Sequence, residues 1–464
     1  MQFGRRDLLK VAGGAAVNRS LTGGAQAGAK HPNILFLFPD QLRHDFVEQP
    51  GVSSPGIPVR TPNVRKLMQE GVWFTRAVTP APLCAPARAC LASGLEYDNC
   101  RVPTNAQNYP SDQPTFYQML RTAGYHVMGC GKFDLHKPEL DWGLDGKRKI
   151  AEWGFSDGID NEGKHDATGA WKRAGNKPKG PFMAYLDKIG MAHAHVEDYE
   201  KRKGHGETFP TPLSDEAYGD NWIARNGLGL LDAAPKDKPW FLQVNFNGPH
   251  NPWDITTSME KRWRGVKFAQ PNRCTELTPA NHELVRQNYA AMIGNIDRRV
   301  GEFVAKVRDR GELSNTLIVF ASDHGEMLGD HNLWAKRHPY HGSVGVPLVV
   351  WGQDVKRGLK IDAPSTTLDL TATFLDYAGV TRPAKMDSRS LRPLVTGKTA
   401  QGREHVLSGM DDWRLVMQGR YKYFRGFGKE GPMLFDTLAD PHENDNLATR
   451  EPALCSRMEK LLSA

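Results

Sequence analysis

The sequence predicts an α/β fold: a large mixed, mostly parallel sheet covered by helices on both faces, plus a small C-terminal antiparallel-sheet subdomain. Three observations carry this. Short runs that are apolar at nearly every position recur along the chain, as expected of strands buried on both faces. Segments of helical periodicity alternate with them. Beyond about residue 390 the pattern changes to closely spaced, short strand-like pieces.

Taken in order, Asn33–Phe38 is the first buried strand. Asn63–Glu70 is helical and leads into a second apolar stretch. Cys84 to about Ser93 reads as a helix with Pro86 in its first turn. Pro114–Ala123 is a helix that feeds the strand Tyr125–Cys130, and the helix Asn221–Ala233 feeds the strand Trp240–Phe246. A long helical pattern over Glu283–Arg310 precedes the strand Thr316–Ala321. Val346–Trp351 is a further buried strand and Leu368–Ala378 a further helix. The C-terminal pieces are His405–Ser408, Arg414–Met417 and Tyr421–Arg425, closed by a helix over Glu451–Leu462. Residues 140–218, rich in Gly, Lys, Asp and His, show little periodicity and read as a long irregular insertion that shapes a cleft.

A chain of 464 residues can bury a large core. Its net charge is +7, of which Arg5, Arg6, Lys10 and Arg19 against Asp7 place +3 within residues 1–27. The remainder is mild and scattered, which suits an anionic substrate and argues against nucleic acid as a partner. Arg5-Arg6-Asp7-Leu8-Leu9-Lys10 resembles a twin-arginine export signal, with Ala25-Gln26-Ala27 as its cleavage site. On that reading the mature protein is periplasmic or secreted. Residues 28–390 are then the catalytic domain and 391–464 the C-terminal subdomain. No apolar run is long enough for a membrane span. The six cysteines, Cys84, Cys90, Cys100, Cys130, Cys274 and Cys455, form no CxxC pair, which argues against a structural zinc site. Their even number permits disulfides.

The sharpest chemical signal is Cys84-Ala85-Pro86-Ala87-Arg88. Taken alone, the cysteine reads equally well as a small buried hydrophobe. As a functional residue it occupies the positive end of a helix, where an anion is favoured, with Arg88 one turn on.

Cys84-x-Pro86-x-Arg88, followed by Ala89-Cys90-Leu91-Ala92-Ser93-Gly94, resembles the signature of the type I sulfatases, within the alkaline phosphatase superfamily. The resemblance spans about residues 32–450 and is weakest over 140–218. It implies that a maturation enzyme oxidises Cys84 to formylglycine. One hydroxyl of the hydrated aldehyde then attacks sulfur, and the other expels sulfate.

Two segments, Pro32–Gln41 and Ala321–Glu326, resemble the family's metal-binding stretches. Each places a carboxylate at the C-terminal end of an apolar strand, where open α/β sheets bind ligands. The resemblance implies a divalent metal, calcium first and magnesium or manganese second, held by Asp40, Gln41, Cys84, Asp323 and His324. Gln41 and His324 depart from the Asp and Asn that many members carry, and are similar to the choline-sulfatase and phosphonate-monoester-hydrolase branch. Whether Gln41 touches the metal is open at this point.

Gly131-Lys132 matches the family's Gly-Lys segment, but Asp134 stands where a histidine is usual. That role is carried to His136, with Asp134 as the alternative. Pro249-His250-Asn251-Pro252 resembles a Pro-His-x-Pro element, and Gly329–Lys336 the segment bearing a sulfate-neutralising lysine, with His331 a candidate for the pocket wall. The resemblance implies that Arg88, Lys132, His250 and Lys336 offset charge on the sulfuryl oxygens. His250 or His136 would protonate the leaving alcohol. Leu434-Phe435-Asp436 and Asp440–Leu447 resemble the C-terminal signature and read as architectural.

The expected function is therefore hydrolysis of sulfate esters, on a sulfated small molecule or polysaccharide. Trp142, Trp153 and Trp171 are either a sugar-stacking surface or packing. One rival keeps the fold and takes phosphonate monoesters or phosphodiesters. A second, a non-catalytic binding protein for sulfated glycans, is disfavoured by the intact Cys84, Arg88, Lys132, His250 and Lys336.

Overall fold

The apolar runs become strands of one eight-stranded sheet. The computed structural model describes residues 31–51, 56–429 and 431–463; the export signal expected over residues 1–27 lies outside them. The strands are β1 (Asn33–Asp40), β2 (Val72–Phe74), β3 (Ala77–Val78), β4 (His126–Gly131) and β5 (Asp157–Asp160), then β6 (Trp240–Pro249), β7 (Thr316–Ala321), β8 (Leu348–Trp351), β9 (Leu359–Ile361) and β10 (Ser365–Thr366). The large sheet runs β5-β4-β6-β1-β7-β8-β2-β9, and β3 pairs with β10 apart from it. β8 runs antiparallel to both its neighbours, while the other pairs are parallel.

Every residue of β1, β6 and β7 is buried. The period-2 geometry of β1 splits its side chains between two apolar layers. Ile34, Phe36 and Phe38 face one core and Leu35 and Leu37 the other. Helices cover both layers, which is why these strands read as unbroken apolar runs.

The helix boundaries follow local chemistry. The long helix spans Pro279–Asp309, starting four residues before the expected Glu283. Thr278 caps it, accepting from the backbone N–H of Asn281, and Pro279 sits at its first position. The helix Phe116–Thr122 carries a capping box between Thr115 and Gln118.

The insertion is not irregular. It supplies β5 at the sheet edge and the helices Lys164–Arg173, Pro181–Lys188 and Ala192–Lys201. These helices are only 10, 8 and 10 residues long, so each offers too few turns for its periodicity to stand out in the sequence. They are held by tertiary burial of Trp171, Phe182, Met183 and Leu186. Trp142 and Trp171 are each 1% exposed and Trp153 is 7% exposed, so all three pack in the interior and none offers a sugar-stacking face.

The C-terminal pieces form a second, antiparallel sheet: β11 (His405–Met410), β12 (Trp413–Gln418), β13 (Tyr421–Arg425) and β14 (Met433–Asp436). The helix Pro452–Leu462 packs on it through Met458. Leu415, Met417 and Phe424 join the same apolar cluster as Ile34 and Phe36, and residues 31–464 form one compact unit. All six cysteines are free thiols. Among the described residues no helix is long and apolar enough to cross a membrane.

Candidate active site

Four neighbouring strands, β4, β6, β1 and β7, end at one edge of the sheet, and each delivers a polar side chain there. β1 ends in Asp40, and a register shift between Pro39 and Asp40 sets Asp40 opposite Pro249. Gly131 closes β4 with φ +107, and a Cβ there would lie 1.9 Å from the Asn245 carbonyl oxygen. Only glycine lets the chain pass and turn Lys132 into the site. His250 follows β6 between two cis prolyl bonds, Gly248–Pro249 and Asn251–Pro252. Asp323 and His324 follow β7. The helix Cys84–Ser93, buried along its whole length, presents its first residue to the same place.

The ligand atoms of Asp40, Cys84, Asp323 and His324 all lie within 4.8 Å of one another, and all four residues are buried. Cys84 Sγ is 3.3 Å from His324 Nε2 and 3.8 Å from Asp40 Oδ1. Arg88 bridges the two carboxylates, with Nη2 2.9 Å from Asp323 Oδ2 and 3.4 Å from Asp40 Oδ2. Its Nη1 donates to the Lys132 carbonyl at 2.5 Å. Lys132 pairs with Asp40 and, at 3.0 Å, with Asp134. Lys336 Nζ lies 3.3 Å from Cys84 Sγ, 2.6 Å from Gln41 Oε1 and 2.5 Å from His250 Nε2. Gln41 takes φ +66, and its backbone N–H donates to Asp323 Oδ1 at 3.0 Å.

The electrostatics follow from this packing. Burial, and to a lesser extent the Asp40 carboxylate, raises the proton affinity of the Cys84 thiol, but Lys132, Lys336 and His324 together outweigh them and hold it at about 5. Burial and the adjacent Lys336 ammonium keep His250 well below the usual imidazole range. Burial likewise opposes charge on Asp40, yet Lys132, His250, Lys336 and Arg88 hold it well below the usual carboxylate range. His324 is raised because Asp323 and Cys84 override its burial.

The donor set fits a divalent metal. Two buried carboxylates converge with an imidazole and residue 84, a mixed set of hard and borderline donors close enough to share one ion. His324 Nδ1–H donates to the Gly325 carbonyl at 3.0 Å, which turns Nε2 toward Cys84, Asp40 and Asp323. The Gln41 amide oxygen is taken up by Lys336 instead.

Cys84, Arg88, Lys132, His250, Lys336, Asp40, Gln41, Asp323 and His324 are thus brought together. His136 is not. Its ring lies between Trp142 and Trp153, at 6.0 and 5.1 Å, and its nitrogens face Asp141 and Asp160. Among the described contacts it has none with Cys84 or the carboxylates around it. Asp134, two residues after Lys132, takes the position beside the lysine that the spacing expects of a histidine. His331 also lies apart, hydrogen-bonded to the His442 carbonyl at 2.9 Å and stacked on Tyr340 at 4.4 Å. Two participants carried no signal of their own in the sequence: Lys137, paired with Asp134 and Asp166, and His165, whose ring stands 5.8 Å from that of His250.

The sulfatase family model matches residues 32–380. The chain belongs to the sulfatase family. Residues 329–463 match the C-terminal model of N-sulphoglucosamine sulphohydrolase, which accounts for the second sheet. The chain is 29% identical over 453 residues to a choline-sulfatase of Rhizobium meliloti, covering 90% of this chain and 82% of that protein. It is 25% identical over 434 residues to an ulvan-active sulfatase of Formosa agariphila, covering 90% and 77%. The fold resembles the crystal structure of a phosphonate monoester hydrolase of Agrobacterium radiobacter, with a TM-score of 0.77, 23% identity, and coverage of 93% of this chain and 95% of that one. As a sulfatase of the alkaline phosphatase superfamily, the protein is a sulfuric ester hydrolase.

Proposed function

We propose that this sulfatase cleaves sulfate esters of a carbohydrate through residue 84, oxidised from cysteine to formylglycine, beside a divalent metal held by Asp40, Asp323, His324 and residue 84. One observation carries the reading. The Cys84 sulfur lies 3.3 Å from both Lys336 Nζ and His324 Nε2, in a buried pocket that two carboxylates line. The carbohydrate class rests on relatives such as the ulvan-active enzyme.

Formylglycine, once hydrated, supplies a geminal diol: one hydroxyl to attack sulfur and a second to expel the sulfate. The metal supplies positive charge that lowers the proton affinity of that diol and offsets charge on the sulfuryl oxygens. We assign calcium first, with magnesium and manganese as the alternatives that metal analysis decides. Arg88 orients Asp40 and Asp323 against one another. Lys132 and Lys336 place ammonium groups where negative charge grows as the ester S–O bond breaks. The leaving alkoxide takes its proton from the Lys336–His250 pair, whose Nζ and Nε2 lie 2.5 Å apart. Cys84 is 1% exposed, so its oxidation by a maturation enzyme requires the chain before it has folded. We assign the protein to the periplasm or the medium, on the twin-arginine pattern at Arg5-Arg6.

Mass spectrometry of the Cys84 peptide, from a host with a competent maturation system, tests the reading. An aldehyde is expected, and a persistent thiol in an active enzyme overturns it. Cys84→Ala should lower kcat on the order of 10⁴-fold or more. A parallel assay on an aryl sulfate and an aryl phosphonate tests the substrate, and a preference for phosphonate of about tenfold (~1.4 kcal/mol) sinks the sulfate reading.

A further inference from the structure

Glu326 is a fully buried carboxylate without a cation. It is 0% exposed, and no ion pair involves it among the described residues. Its bonds go to neutral N–H groups. Oε1 accepts from the backbone of Leu328 at 2.9 Å and of Ala335 at 2.5 Å, and Oε2 accepts from Gln41 Nε2. Burying a charge on these terms is expensive, so the bonds must be well made.

Those partners lead to Lys336 by two routes. Leu328 and Ala335 are the ends of an irregular segment in which Leu328, His331, Asn332 and Ala335 all have positive φ. Such a segment holds its shape only where its surroundings over-determine it, and one carboxylate oxygen ties both ends. The second route is the Gln41 amide. A carboxylate only accepts, so Gln41 must turn its NH₂ toward Glu326 and its oxygen toward Lys336. Lys336 then has three acceptors for its three N–H bonds: Gln41 Oε1, His250 Nε2 and Cys84 Sγ.

We propose that Glu326 is a positioning residue for Lys336, acting through the polarity of the Gln41 amide and the Ala335 backbone. This rests on the reading of residue 84 as the nucleophile that Lys336 serves. In Glu326→Gln the new amide oxygen must still accept from Leu328 and Ala335, so its NH₂ faces Gln41. Gln41 then turns its own NH₂ toward the Lys336 ammonium, and one of the three acceptors is lost. Adding Gln41→Glu reverses the polarity. The amide introduced at position 326 donates to the carboxylate introduced at position 41. The other oxygen of that carboxylate again accepts from Lys336, and the net charge is that of the parent.

The experiment measures kcat, KM, melting temperature, formylglycine content and bound metal for the two single variants Glu326→Gln and Gln41→Met, for the Glu326→Gln/Gln41→Glu pair, and for Cys84→Ala. Both single variants should lose on the order of 10-fold to 100-fold in kcat, with KM, aldehyde and metal contents close to the parent. The double variant should recover to within about threefold of the parent. Parental kcat in Gln41→Met, or a double variant no better than Glu326→Gln at equal aldehyde and metal content, overturns the proposal. Should Glu326→Gln fail to fold, Gln41→Met decides alone. Retained activity in Cys84→Ala would instead overturn the reading of residue 84, so the two failures are distinguishable.

Discussion

Lys336 Nζ lies 3.3 Å from Cys84 Sγ, although 252 positions separate the two residues. The lysine sits on an irregular segment beyond β7 and the cysteine at the first turn of a helix, so only the packed molecule brings them together.

Removing this ammonium leaves the nucleophile without a cation that also reaches His250. Lys336→Met is expected to lower kcat by about 10²-fold to 10³-fold, the range found when one charge-stabilising donor is deleted. Steady-state kinetics check it, with aldehyde content measured alongside. A loss of less than about threefold would remove Lys336 from the mechanism.

His136 is a packing residue, held between Trp142 and Trp153. His136→Phe is therefore expected to leave kcat within about threefold of the parent while costing about 1–3 kcal/mol of stability. Denaturant melts and kinetics on the same preparation separate the two effects. A large kcat loss at unchanged stability would return His136 to the proton-transfer role.

Gly131→Ala places a methyl group against the Asn245 carbonyl, at a backbone conformation that L-residues rarely adopt. The strands β4 and β6 cannot separate without opening the sheet beside Lys132. A loss of at least about 2 kcal/mol is expected, together with reduced kcat because Lys132 moves with the backbone. Unfolding curves and kinetics check both.

His195, 2% exposed and lacking a hydrogen-bond partner at either ring nitrogen among the described residues, is held at about 4 by burial. In the unfolded chain an imidazole takes up its proton near pH 6.5, about the ordinary value. Between those two values the unfolded state binds more protons than the folded one, so stability rises with pH across that window. Acidification from about pH 6.5 to 4 should therefore cost about 3 kcal/mol through this group. Subtracting the stability-versus-pH curve of His195→Leu from that of the parent isolates the effect, and identical slopes would refute it.

The architecture was legible because burial on both faces writes itself into composition. The unbroken apolar runs of β1, β6 and β7 announce a doubly covered sheet. The short helices between Lys164 and Lys201 were hidden because their stability comes from Trp171, Phe182 and Leu186 meeting a distant layer, and not from their own periodicity. Beside Lys132, the expected histidine is replaced in space by Asp134, since the backbone turn after Gly131 sends His136 toward Trp153.

By itself the sequence determined the family chemistry. Cys84 with Pro86 and Arg88, Asp40 after an apolar strand, and Asp323-His324 after another are local patterns, set by what a strand end or helix start can present. Tertiary structure alone decided which way the Gln41 amide points, that Lys336 meets His250, and that Gln41 stands between Glu326 and Lys336. The reason is physical. A neutral amide has no intrinsic orientation, and a lysine on an irregular segment has no fixed direction. Each acquires one only when buried acceptors from separate parts of the chain leave a single hydrogen-bonded arrangement.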